Sequence, residues 1–189
     1  MKREELEHLL RAASRIIDEP DLLVVGSAAI LGSHDEAELP TAATRSDEAD
    51  LAPFDDADGS QSMAIEGALG AGSQFHGEFG YYADGVSIDT AIVGPGWRDR
   101  LVLFDPPGAA PGRGWCLEPH DLAAAKLAAG RTKDYEFVQA LLDAGLLDHV
   151  TLSARLANLP ADRVLPAFRR RAEAWLQELG RRPRFGRLP

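Results

Sequence analysis

Four consecutive apolar residues, Leu22-Leu23-Val24-Val25, run directly into Gly26-Ser27 and then into a second apolar run, Ala28-Ala29-Ile30-Leu31. A short run that is apolar at every position, and not at alternate ones, reads as a strand buried on both faces. Gly-Ser turns the backbone at the strand's end, and the run that follows reads as a short helix. This strand–turn–helix unit sets an α/β layering early in the chain.

The remaining segments fit around it. Residues 2–18 place Leu6, Leu9, Leu10, Ala13, Ile16 and Ile17 at helical spacing, which predicts an amphipathic helix ended by Pro20. Residues 32–45 are polar and read as a loop; Asp47 to Pro53 holds a second strand, and Ser60 to Leu69 a helix. Phe75 to Tyr82 and Val86 to Val93 flank Ala83-Asp84-Gly85, and Asp-Gly between strand-like runs predicts a hairpin. Residues 94–114 are rich in Gly and Pro around a short strand, Leu101 to Phe104. From Glu118-Pro119-His120-Asp121 onward the pattern is helical, with helices expected near 121–129, 132–144, 151–157 and 161–179. The expected fold is α+β: a small mixed β-sheet core flanked by helices over residues 1–115, followed by an α-helical region, 116–189, packed on it.

At 189 residues the chain can bury a sizeable core without staples. Its single cysteine, Cys116, excludes an internal disulfide, so a reducing cytoplasm is expected. No run reaches the 18 or so apolar residues of a membrane span, and Met1 to His8 is charged throughout, so neither a membrane anchor nor a secretory signal is expected. The net charge of −10 is uneven: from Thr151 onward nine Arg face three acids, Asp162, Glu173 and Glu178. An acidic body repels nucleic acid, whereas an Arg-rich end attracts phosphate; the same pattern also suits a solvated helix with a basic terminus.

The candidate chemistry starts at Ser46-Asp47-Glu48-Ala49-Asp50-Leu51. On a strand, residues two apart share a face, so Glu48 and Asp50 aim two carboxylates the same way, about 7 Å apart along the backbone. Like charges so placed repel unless a cation lies between them, and hard oxygen ligands suit Mg²⁺. Taken alone, such a pair reads more readily as an exposed acidic edge strand. Two further features favour a site. Gly26-Ser27 puts a glycine and a hydroxyl at a strand-to-helix junction, where backbone N–H groups can meet phosphate. Ser87-Ile88-Asp89-Thr90-Ala91 places an acid in a segment that reads as an apolar strand, where a carboxylate needs a partner or a metal.

The order apolar-Gly-Ser, acid-x-acid strand, single later acid resembles the minimal nucleotidyltransferases of the polymerase-β-like superfamily. Lys126-Leu127-Ala128-Ala129-Gly130-Arg131-Thr132-Lys133-Asp134 is similar to the lysine-rich helix segment of the AbiEii-like group, many members of which act in type IV toxin–antitoxin systems. Glu118-Pro119-His120-Asp121-Leu122 resembles the lead into that helix, and the likeness covers roughly residues 20–145. The resemblance implies that Gly26 and Ser27 contact the phosphates of a nucleoside triphosphate. It implies Mg²⁺ or Mn²⁺ on Glu48, Asp50 and Asp89, with Asp89 also assisting deprotonation of the acceptor hydroxyl. Lys126 would neutralise the triphosphate, assisted by Arg131 or Lys133. The implied acceptors are tRNA or other RNA, or a partner protein.

The sequence departs from the group's pattern in two places. Glu48 stands where family members carry aspartate, and Asp47 beside it faces away on a regular strand. The interval from Ser27 to Glu48 is also long, which implies an inserted loop. These departures leave a second reading open, a nucleotide-binding regulatory module with the same fold. Asp134 reads equally as an ion-pair partner for a nearby Lys or Arg, and Gly130 as a turn between two helices. His76 reads as structural, the three tryptophans as packing anchors, and Cys116 as inert.

Overall fold

The helical spacing of the first residues is realised as α1, Arg3–Ile17, whose Leu6, Leu9, Leu10 and Ala13 are wholly buried in the computed structural model, which describes residues 1–181. Glu5 accepts the Lys2 N–H at 2.7 Å, and α1 stops at Asp18, in the left-handed conformation with φ 55°, before Pro20 is reached. Five strands follow: β1 Asp21–Val25, β2 Glu48–Pro53, β3 Tyr82–Gly85, β4 Val102–Phe104 and β5 Arg113–Cys116. They form one mixed sheet in the order β3-β2-β1-β5-β4. The β1–β2 and β4–β5 pairs are antiparallel, whereas β1–β5 and β2–β3 are parallel. The central place of β1 accounts for its unbroken apolar run, since both its neighbours and both its faces are covered.

The sheet's two faces differ. Val24 and Leu51 are cross-strand partners, and Leu10 and Val24 fill the space that a side chain at Gly114 would take, so this face carries α1. α3, Ser60–Leu69, packs on α1 and on β2. Pleating then turns Glu48 and Asp50 to the opposite face. The 3₁₀ turn Ser27–Gly32 packs against β2, β5 and α5, Pro119–Ala129. Beyond α5 come α6 Thr132–Asp143, α7 His149–Ala157 and α8 Pro166–Arg181; α2, Thr41–Thr44, is a single turn inside the predicted loop. The expected class, a mixed sheet flanked and followed by helices, is the one observed.

Glu118 starts α5 by accepting the N–H groups of His120 and Asp121 at 3.1 and 3.2 Å. Leu122, Ala123, Ala124 and Leu127 on this helix are buried in the same core as the sheet residues. Gly130 ends α5, so Lys126 and Lys133 lie on separate helices. Asp121, 2% exposed, is held by Arg100 through two hydrogen bonds of 2.7 and 3.0 Å and by Arg155 at 3.3 Å. No helix among the described residues is long and apolar enough to cross a membrane.

Residues 75–93 correct the predicted hairpin. Ser73 accepts the His76 N–H at 3.1 Å and starts α4, Gln74–Phe79. Phe75 and Phe79, four residues apart, both pack on His8 of α1, at 5.0 and 4.7 Å between ring centroids. The aromatic spacing is thus a helix face and not a strand pattern. Asp84-Gly85 is no turn either; it is the end of β3. A Cβ on Gly85 would lie 1.9 Å from the Ser62 carbonyl oxygen, so glycine is needed there for the close approach of α3. Downstream, Ser87 accepts the Asp89 N–H at 3.2 Å and turns Ile88–Thr90 into a single 3₁₀ turn. β5 was not expected, because it lies within a stretch rich in Gly and Pro.

Candidate metal centre

Glu48 and Asp50 project from one face of β2, and the parallel register sets Asp84 of β3 directly opposite Asp50. One carboxylate oxygen from each of Glu48, Asp50 and Asp84 lies within 4.8 Å of the other two. Gly26, at the end of β1, has φ +62°, and a Cβ there would fall 1.8 Å from Asp50 Oδ2. The Asp50 carboxylate therefore sits in the space that only glycine leaves free. Burial, then the charges of Glu48 and Asp84, push the Asp50 carboxyl up to about 6, against the pull of Lys126 and Arg131. Burial, then Glu66 and Glu48, also raise Asp84. Tyr82 donates to Glu48 Oε2 at 3.2 Å, and burial together with Glu48 pushes its phenol up to about 12. Three convergent carboxylates under mutual repulsion form a hard-oxygen donor set that suits Mg²⁺ or Mn²⁺.

A cationic side stands next to the acidic one. Lys126, 7% exposed, donates from Nζ to Ser27 Oγ at 3.0 Å. Its ammonium lies 3.6 Å from Asp134 and 4.6 Å from the Phe137 ring centre. Burial holds Lys126 below the ordinary lysine value, and Asp134 opposes that shift. Asp134, 1% exposed, also accepts two hydrogen bonds from the Arg131 guanidinium, at 2.7 and 3.2 Å. Those bonds raise Arg131 first, and the charges of Asp134, Asp50 and Glu48 add to the rise.

The structure brings together Gly26, Ser27, Glu48, Asp50, Lys126 and Arg131. It does not bring in Asp89 or Lys133. Asp89, expected on a strand beside β2, lies on the exposed 3₁₀ turn, its side chain 85% exposed and 3.8 Å from Arg163, which also donates to the Asp89 carbonyl. Lys133 is exposed near the start of α6. Asp84 takes the place foreseen for Asp89. Its signal was present, since Tyr82-Ala83-Asp84 alternates about a buried alanine, but the Asp-Gly pair also spells a turn. Asp47 is exposed and outside the cluster. A concavity of about 410 Å³, lined by residues including Asp21, Phe54 and Trp115, lies toward the far ends of β1 and β2 and holds none of these groups.

The Arg-rich end is partly committed to packing. Arg169 donates to the carbonyls of Leu156, Ala157 and Leu159 behind α7, and Arg171 lies 5.1 Å from the Tyr135 ring centre. Arg182, Arg184 and Arg187, part of the predicted phosphate-attracting end, lie outside the described residues.

The mixed sheet thus presents three carboxylates beside a Gly-Ser turn and a buried lysine. The chain belongs to a family of nucleotidyltransferases of unknown function (DUF6036), which matches residues 4–160. That span contains every residue of the centre. The family's description extends to neither AbiEii-like proteins nor toxin–antitoxin systems. No curated protein and no solved structure matches the chain at a significant level.

Proposed function

We propose that the chain moves a nucleoside monophosphate from a nucleoside triphosphate to an acceptor hydroxyl, on an RNA end or a protein. Glu48, Asp50 and Asp84 would hold the Mg²⁺ or Mn²⁺. The observation that carries this reading is the Asp50 carboxylate, seated over Gly26 and gathered with two more carboxylates within 4.8 Å. When bound, the metal supplies positive charge at the phosphate oxygens and at the acceptor oxygen.

The chain's own groups divide the remaining work. Lys126, hydrogen-bonded to Ser27, carries its charge to the Gly-Ser turn and there meets the triphosphate. Arg131, braced by Asp134, brings a second cation to the same side. In the transfer the acceptor oxygen bonds to the α-phosphorus, the bond to the pyrophosphate oxygen breaks, and the acceptor's proton passes to a carboxylate oxygen of Asp84. The likeness of residues 126–134 to the AbiEii-like segment extends the proposal to a toxin–antitoxin pair.

The test is label transfer from radiolabelled nucleoside triphosphates, with Mg²⁺ or Mn²⁺, to total RNA and to lysate protein. The unmodified chain labels an acceptor; Asp50→Ala and Asp84→Ala lose about a hundredfold or more, and Asp89→Ala stays near the unmodified rate. Transfer that survives Asp50→Ala overturns the site. Nucleotide binding without transfer to any acceptor favours the regulatory module instead.

A further inference from the structure

We infer that Tyr82 is a positioning residue of the metal centre, fixing one oxygen of Glu48 so that the other is left to the cation. The inference rests on the reading of Glu48, Asp50 and Asp84 as metal ligands and concerns what makes a glutamate workable among them. Glu48 has one more rotatable bond than an aspartate and more conformational freedom to lose on binding a metal. Asp50 needs no such holder, because its carboxylate is already seated in the gap over Gly26.

The register of β3 supplies the holder. Glu48 pairs with Tyr82 and Asp50 pairs with Asp84, so two residues spaced by one on β3 provide a hydroxyl for the first acid and a third ligand beside the second. The Tyr82 hydroxyl donates to Glu48 Oε2 at 3.2 Å. The phenol is itself braced. The His76 ring lies 4.6 Å from it at 41°, and His76 Nδ1 accepts the Gly72 N–H at 3.0 Å. A continuous set of contacts thus runs from the start of α4 to the Glu48 carboxylate. A phenol is a neutral donor, so it orients the carboxylate without cancelling its charge, as an Arg or Lys in the same place would. An aspartate at position 48, one methylene shorter, draws away from this hydroxyl and has less need of it.

The test measures Mn²⁺ affinity directly, by the electron paramagnetic resonance signal of free Mn²⁺, for the unmodified chain, Tyr82→Phe, Glu48→Asp and the double variant. Tyr82→Phe is expected to weaken Mn²⁺ binding about five- to tenfold where Glu48 is present, and less than about twofold beside Glu48→Asp. His76→Ala, which unseats the ring but keeps the hydroxyl, gives a smaller loss in the same direction. Equal affinity for the unmodified chain and Tyr82→Phe overturns the positioning role, as does an equal loss with and without the Glu48→Asp change. Failure of the unmodified chain to bind Mn²⁺ overturns the metal centre itself, an outcome distinct from the other two.

Discussion

The Asp50 carboxyl has two acids beside it, a glycine beneath it and Lys126 and Arg131 as its opposing charges. Its value of about 6, against an ordinary 3.8, means that the folded chain holds this proton more tightly than the unfolded chain does. Below about pH 4 both states are largely protonated and the group is neutral toward stability. As pH rises from about 4 to 6 the folded state is the one that resists ionisation, so stability falls, and above about 6 the cost is complete. Asp50→Asn should therefore stabilise the metal-free protein at pH 7.5 by about 1–2 kcal/mol, a modest discount on the full shift because the site is partly accessible. A thermal melt without metal should show this as a gain of a few degrees, while Mn²⁺ no longer raises the midpoint. An Asn variant that melts below the unmodified chain under those conditions would contradict the account of Asp50.

At the level of elements, β2 was legible and β3 was not, for a definite reason. That Glu48 and Asp50 share a face follows from strand pleating alone, whatever lies alongside. Which acid completes the set depends on the strand that pairs with β2, and the aromatic spacing of residues 75–82 conceals a helix that delays that strand until Tyr82. Asp89 resembled a buried acid because Ile88, Ala91 and Ile92 surround it in sequence, yet Ser87 caps a 3₁₀ turn there and directs it to solvent. The Gly-Ser junction and the break at Gly130 were both readable, since each depends on one short segment. The clamp on Asp121 was not: it joins α5 to the Trp97–Arg100 turn and to α7, three elements far apart in sequence. Removing its acid leaves Arg100 and Arg155 facing each other, both only partly able to reach water. Asp121→Ala should lower stability by about 2–4 kcal/mol, seen as a reduced urea midpoint with little change in slope. A midpoint shift worth less than about 1 kcal/mol would show that the clamp is ornamental to folding.

For the molecule as a whole, the order of sheet-forming residues followed by helices, and the packing of one on the other, was apparent from patterning, whereas the residues that make the joint were not. Leu122, Ala123, Ala124 and Leu127 share one core with β1 and the Ser27–Gly32 turn, so regions 1–115 and 116–181 should unfold together. Variants that keep only Trp115, in β5, or only Trp175, in α8, should give thermal transitions that coincide within about 2 °C. Separated transitions would mean two independently stable units. The bond from Lys126 to Ser27 spans that same joint. Burial holds this lysine below its ordinary value, and at 7% exposed it is shielded from reagents. An amine so covered meets an acylating reagent only when that joint opens, so its labelling rate is expected to time the opening.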